Sequence, residues 1–306
     1  MALTRKKITS NDNHIEKTPF DLSVHEEYKK WRLKKLKNIP ISIDDLTVKI
    51  QKYEFPTQDE RNAIIDRCNT FNMSVYVASS EAKKDFPLAL ARDVGLEKFD
   101  QPVPLGEDGL VKITVVKDDK QQLYIPYSNK PLSWHTDGYY NKPGEQVRGF
   151  LLHCSQDAEV GGVSEFVDPE IIYIRLRDEN PDFIHALMQK DVLSIPPNYE
   201  NGIKVRETVT GPVFSVISGN LHMRYTDRKR HIKWKADKLV AAARQKLSDA
   251  LNSENESIVR IRLRPGQGII CNNVLHRRSG YKDSSNNSQK RLLFRARYLN
   301  RVSSTH

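Results

Sequence analysis

From Leu110 onward, short runs of β-branched and aromatic residues alternate with polar positions and turn residues: LVKITVV, QVRGFLLHCS, VSEFV, PVFSVIS, IVRIRLR, GIICNN and RLLFRARYL. Runs of this length, separated by turns, predict the half-buried strands of a β-sandwich or barrel. One helix interrupts the series. Within Ala236–Asn252, Leu239, Ala243, Leu247 and Leu251 recur every fourth residue, and Lys, Arg and Gln fill the other face, so this helix is expected across the outside of the barrel. Upstream, Ile64, Ile65 and Cys68 set a helical spacing within Gln58–Phe71, and Ser79–Leu96 gives a shorter helix interrupted by Pro87. These two helices are expected to brace one side of a sheet. The polar stretch DSSNNSQ at 283–289 reads as a flexible loop. The fold class that follows is mainly β with flanking helices.

The first 38 residues lack this texture. They are polar, with Trp31, Leu33 and Leu36 as the apolar cluster near their end, and they hold ten Lys/Arg against five Asp/Glu. A basic, partly disordered extension ending in a short helix is expected over 1–38, with a single folded domain over 39–306. This segment accounts for half of the formal net charge of +10, so the folded part has no strong bias toward an anionic polymer. The KKWRLKKLKN stretch from Lys29 reads as a solvated helix face or a docking surface for something acidic. Hydrophobic residues at 38% and a mean hydropathy of −0.62 describe a water-soluble chain. No run approaches the roughly 20 apolar residues needed to cross a bilayer, and no apolar stretch follows the basic start, so a cytoplasmic location is expected. Cys68, Cys154 and Cys271 stand far apart, which argues against a disulfide scaffold or a structural zinc site and for buried small apolar residues.

Candidate chemistry concentrates in YSNKPLSWHTDGYYN. His135 and Asp137 flank one residue at the expected end of a strand, and alternation places both on one face, where an imidazole and a carboxylate can meet one cation. His276, in PGQGIICNNVLHRRSGY, follows a turn and a short apolar strand, and supplies a distant third ligand. Two His and one carboxylate leave about three coordination positions open, as a non-haem iron oxygenase requires. A zinc centre with hydrolytic use of the same triad is the competing reading. Downstream, alternation in QKRLLFRARYL directs Arg291 and Arg295 into the barrel, with Leu292 and Phe294 pointing away. Two inward guanidinium forks suit a dicarboxylate whose other end chelates the metal.

The segments WHTDG (134–138), VGGVSEFVD (160–168), MRYTDRKR (223–230), NNVLHRRSGY (272–281) and KRLLFRARYL (290–299) together resemble the taurine dioxygenase-like (TauD/TfdA) family of iron(II)/2-oxoglutarate-dependent oxygenases, including its glutarate-hydroxylase-like members. The resemblance implies a double-stranded β-helix, the cupin-like jelly roll. It implies Fe(II), with 2-oxoglutarate and O2 as co-substrates, and hydroxylation of a substrate with release of succinate and CO2. By position, His135, Asp137 and His276 become the metal ligands and Ser164 the hydroxyl on 2-oxoglutarate. Arg291 would hold the distal carboxylate of 2-oxoglutarate, and Arg295 would contact co-substrate or an anionic substrate. The taurine enzyme itself holds its sulfonate with a histidine upstream of the HxD pair, and this chain has none between His25 and His135.

A basic rim of Arg224, Arg228, Lys229, Arg230, Arg277 and Arg278 points to a small, acidic substrate, and Tyr139 and Tyr140 are placed to close over it. No membrane or nucleic-acid partner is expected, and a homo-oligomer is compatible with the reading. The alternatives are the same chemistry on a protein or nucleic-acid target docked by the basic surface, and a non-catalytic binding module.

Overall fold

The computed structural model describes residues 18–52, 56–79, 85–100, 110–115, 125–228, 232–253, 256–285 and 290–304. Residues 1–17 of the basic segment, 80–84 of the second helical candidate, Val116 and 286–289 of the polar loop lie outside the described residues.

Alternation along the strands builds two large sheets, with smaller two- and three-stranded ones beside them. The strands of the large sheets are β1 (Thr47–Lys49), β2 (Met73–Val77), β3 (Val111–Ile113), β4 (Leu132–His135) and β5 (Gly149–Gln156), followed by β6 (Ser164–Val167), β7 (Val259–Ile261), β8 (Gln267–Cys271), β9 (Leu275–Arg278) and β10 (Leu292–Tyr298). One sheet runs β1-β2-β8-β5-β10-β3 and the other β7-β6-β9-β4, an arrangement of two facing sheets that is the expected jelly roll. Period-2 burial is explicit in β8. Ile269 and Cys271 enter the core between the sheets with Phe150, Phe166 and Leu293, whereas Ile270 points to the opposite face.

That opposite face is covered by the two bracing helices, α2 (Gln58–Phe71) and α3 (Phe86–Asp93). Ile64, Ile65, Cys68 and Leu90 pack there on Tyr76, Leu151 and Phe294. Pro87 begins α3 instead of interrupting it, since a missing N–H costs nothing in the first helical turn. All three cysteines are buried and free.

The four-stranded sheet is backed by three helices where the pattern predicted one. Besides α6 (Lys238–Asn252), the chain forms α4 (Pro169–Glu179) and α5 (Pro181–Leu187). Each of these begins at a capping residue followed by proline: Asp168 accepts from the Glu170 N–H at 2.9 Å, and Asn180 accepts from the Asp182 N–H at 2.9 Å. The stripe of α6 is Val240, Ala243, Leu247 and Leu251, with Leu239 only half-buried. Its last turn meets the sheet directly, because Trp134 Nε1 donates to the Leu251 carbonyl at 3.0 Å.

The core reaches back across the expected boundary at residue 39. Phe20 and the α1 helix (His25–Lys37) lie against α4, and Phe20 and Tyr28 are buried with Tyr173. Arg177 donates to the Pro19 carbonyl at 2.7 Å and stacks its guanidinium 3.7 Å from the Tyr28 ring centroid. Lys35 is buried and reaches Asp168 at 2.5 Å and Glu170 at 2.6 Å, while its ammonium also donates to the Thr70 carbonyl at 2.8 Å. Lys35, one of the basic residues of the predicted docking face, is therefore spent on packing. Among the described residues, no helix is long and apolar enough to cross a membrane.

Removing one partner of a buried ion pair leaves an uncompensated charge, so Lys35→Met is expected to cost about 3–5 kcal/mol. Urea unfolding of variant and wild type measures this, and an unchanged midpoint would contradict the buried pairing.

Candidate metal centre between the sheets

β9 lies antiparallel to β4 in the register that sets His276 opposite His135. The two imidazoles stand side by side, with ring centroids 4.1 Å apart. Each Nδ1 faces a backbone carbonyl, that of Ser133 at 2.9 Å for His135 and that of Val274 at 3.0 Å for His276. A carbonyl only accepts, so each Nδ1 carries the proton and each Nε2 is left with a free lone pair. Phe150 and Phe166 flank the His276 ring at 4.9 and 6.0 Å.

Asp137 sits just beyond β4, on a turn that only glycine completes. Gly138 has φ +65°, and a Cβ there would lie 2.4 Å from Val147 Cγ2. Two neighbours fix the segment. Thr136 donates its N–H to the Tyr225 carbonyl at 3.0 Å and accepts from the Tyr225 N–H at 3.1 Å. On the other side, Asn273 accepts from the Asp137 N–H at 2.8 Å and donates to the carbonyls of Asp137 at 3.0 Å and Val147 at 2.6 Å. Asn273 stands three residues before His276 in the left-handed region, φ 53°, and ties the third candidate ligand to the second. Nothing in the one-dimensional pattern marked it.

The ligand atoms of His135, Asp137 and His276 all lie within 4.8 Å of one another. Burial pushes His135 down to about 3, helped by the neighbouring His276, and burial also lowers His276 against the pull of Asp137. Burial pushes the Asp137 carboxyl up, yet Arg295, His276, Arg297 and His135 outweigh it and hold it below the usual carboxylate range. At neutral pH the site is two neutral imidazoles and one carboxylate. Asp137 Oδ1 meets Arg295 Nη1 at 3.3 Å, while Oδ2 is buried with no hydrogen-bond partner. A buried orphan oxygen beside two free imidazole nitrogens fits a divalent metal.

The same cavity is lined by Ser164, Arg291 and Arg295, so the six residues expected to hold metal or co-substrate line one place. Ile113, Phe150, Leu152, Phe166 and Leu293 supply its apolar walls. The predicted basic rim, by contrast, is largely consumed by structure. Arg224 is buried and donates to the carbonyls of Pro212, Tyr139, Gly211 and Leu193. Arg277 pairs with Glu165 and lies over Trp134. Arg278 is buried and lines the cavity itself, and Lys229 and Arg230 lie outside the described residues. Tyr140 accepts from Arg297 Nη1 at 2.8 Å, and Arg297 pairs with Asp100 at 2.7 Å, so this tyrosine is anchored in a buried network that the sequence did not suggest.

Facing sheets with two imidazoles and a carboxylate at their mouth define a jelly-roll protein with a site built for a metal. A family model described as taurine catabolism dioxygenase TauD, TfdA family, matches residues 87–297, and the chain belongs to that family. A uridine-5′-phosphate dioxygenase from a Streptomyces species is 29% identical over 186 residues, which are 57% of this chain and 64% of that relative's length. An asparagine oxygenase solved with Fe(II), 3-hydroxyasparagine and succinate superposes with a TM-score of 0.59 at 14% identity, over 81% of each chain. The non-haem iron oxygenase OrfP, solved with Fe and α-ketoglutaric acid, gives 0.58 at 13% identity, over 87% of this chain and 85% of that one. At such identities these likenesses establish the fold.

Losing a partner that orients a metal ligand commonly weakens metal binding about 10–100-fold. Asn273→Ala is expected to raise the Mn(II) dissociation constant within that range. Calorimetric titration checks it, with wild-type affinity in the variant as the contrary outcome.

Proposed function

We propose that this chain is an iron(II)- and 2-oxoglutarate-dependent dioxygenase that hydroxylates a small anionic substrate. The observation that carries the reading is the convergence of His135, Asp137, His276 and Arg291 on one cavity. His135 and His276 offer Nε2, and Asp137 offers Oδ2, to iron(II). Bound there, iron(II) supplies the centre at which dioxygen is activated as 2-oxoglutarate loses carbon dioxide and becomes succinate, one oxygen atom passing to the substrate.

The protein's own contribution is placement of charge and exclusion of water. Arg291, Arg295 and Arg297 recur at alternate inward positions of the β10 segment, Leu293 taking the remaining one. Arg297 is matched by Asp100 and Arg295 by Asp137, but Arg291 has no carboxylate partner among the described residues. An unmatched buried guanidinium is where the distal carboxylate of 2-oxoglutarate belongs. Ser164, buried on β6 and lining the same cavity, supplies a hydroxyl to that end. Arg295, which already touches Asp137, orients the metal-holding carboxylate and leaves its own orphan Nε toward co-substrate or substrate. The apolar walls keep the reacting region dry.

Support for a small substrate comes from relatives whose names or bound molecules are of that size, a nucleotide and an amino acid among them. The nucleotide is anionic, in keeping with a cavity lined by arginine. Docking of a macromolecule by α1 finds less support, because Tyr28 and Lys35 are committed to α4.

His135→Ala and Asp137→Ala are each expected to abolish 2-oxoglutarate-dependent oxygen uptake, and full uptake in either variant would remove the assignment. Arg291→Ala should raise the 2-oxoglutarate requirement about 10–100-fold, the loss of charge-assisted hydrogen bonds, with Mn(II) binding retained. Succinate release on presentation of nucleoside monophosphates and other small acids, against their neutral counterparts, tests the substrate class.

A further inference from the structure

Four guanidiniums line the cavity: Arg277, Arg278, Arg291 and Arg295. Glu165 matches the first and Asp137 the last. Arg278 and Arg291 form no ion pair among the described residues, although both are at least nine-tenths buried, with 7% and 4% exposure. Both approach the same aromatic ring. The Arg278 guanidinium lies 4.8 Å from the centroid of the Tyr281 ring and that of Arg291 lies 4.9 Å from the same centroid.

Each of these two side chains also holds back hydrogen-bonding capacity. Arg278 Nη2 donates to the carbonyls of Ser128 at 2.9 Å and Lys130 at 2.6 Å, which fixes the side chain without neutralising it. Arg278 Nε and Arg291 Nη1 are buried and have no partner. A guanidinium stays protonated in a folded protein, so both groups are cationic at neutral pH. Two like charges confined together, each with an unused donor, are costly unless an anion joins them. Ser164 stands directly opposite Arg278 in the β6–β9 register, placing a buried hydroxyl at the same end of the cavity.

We infer that Arg278 joins Arg291 in a paired-guanidinium cradle for the distal carboxylate of the co-substrate, with Tyr281 as the positioning residue that spaces the two forks. This rests on the proposed 2-oxoglutarate reading and adds to it a second cation, held on the strand that carries His276. A carboxylate has lone pairs enough to accept from both forks, and its charge relieves the repulsion between them. Selectivity follows: a 2-oxo acid without the far carboxylate leaves both cations unmatched.

The test is anaerobic binding to the Mn(II)-loaded protein, by calorimetry, of 2-oxoglutarate and of 2-oxopentanoate, which has the same carbon chain without the distal carboxylate. Arg278→Met is expected to weaken 2-oxoglutarate about 10–100-fold while changing Mn(II) and 2-oxopentanoate affinity little. Arg278→Lys keeps the charge without the fork, so it should fall between, and it decides the matter if the Met variant does not fold. Equal losses for the two acids would assign Arg278 to holding the Ser128–Lys130 carbonyls alone, and no loss for either would remove it from the site. Both outcomes overturn the cradle while leaving the dioxygenase reading intact. Failure of the wild-type Mn(II) protein to bind 2-oxoglutarate would instead overturn that reading, and the cradle with it.

Discussion

The register between β9 and β4 is the constraint on which the functional geometry depends. Side chains alternate along a strand, so a slip of one residue would carry His276 to the opposite face and dissolve the meeting of the two imidazoles. Neither strand is long enough to hold that register by itself. The Asn273 carboxamide does much of the holding, because its three hydrogen bonds tie the turn before β9 to the backbone around Asp137. Thr136 and Tyr225 fasten the other side of the same segment. A site assembled from chain regions far apart in sequence thus acquires the rigidity that a metal ligand set needs.

Charge is distributed with comparable economy. Buried arginines in this protein fall into three kinds: those satisfied by backbone carbonyls, such as Arg224; those paired with a carboxylate, such as Arg297 with Asp100; and those that face the cavity unmatched. The first two kinds are architectural, since each fully bonded guanidinium cross-links segments distant in sequence. The third kind keeps binding capacity to spare. Reading a buried arginine therefore requires knowing what it already touches, and position beside a metal site is not enough.

That distinction explains what sequence could and could not disclose. Strand alternation placed Arg291 and Arg295 on one face, and the helix expected over Gln58–Phe71 has those bounds, because both follow from local periodicity. The Asp168-Pro169 and Asn180-Pro181 starts of α4 and α5 are legible as capped helix N-termini, but they lie between strand-like runs that dominate the local pattern. Arg224 and Arg277 read as a basic rim because carbonyl acceptors and a cross-strand Glu165 are invisible in one dimension. Asn273 went unseen for the same reason. The chain before residue 39 looked detachable on composition alone, and the contacts of Phe20, Tyr28 and Lys35 come from α4, an element that composition did not reveal.

Asp168 links these observations. It caps α4, receives Lys35 from α1, and accepts from Asn72 Nδ2 at 3.0 Å. Asn72 in turn bonds Asn272, the immediate neighbour of Asn273. An amino-terminal truncation that stripped away α1 would thus strand an acid at the far end of a relay leading to the metal-side turn. Trimming this enzyme at its apparent domain edge would be an intervention in its chemistry as well as in its length.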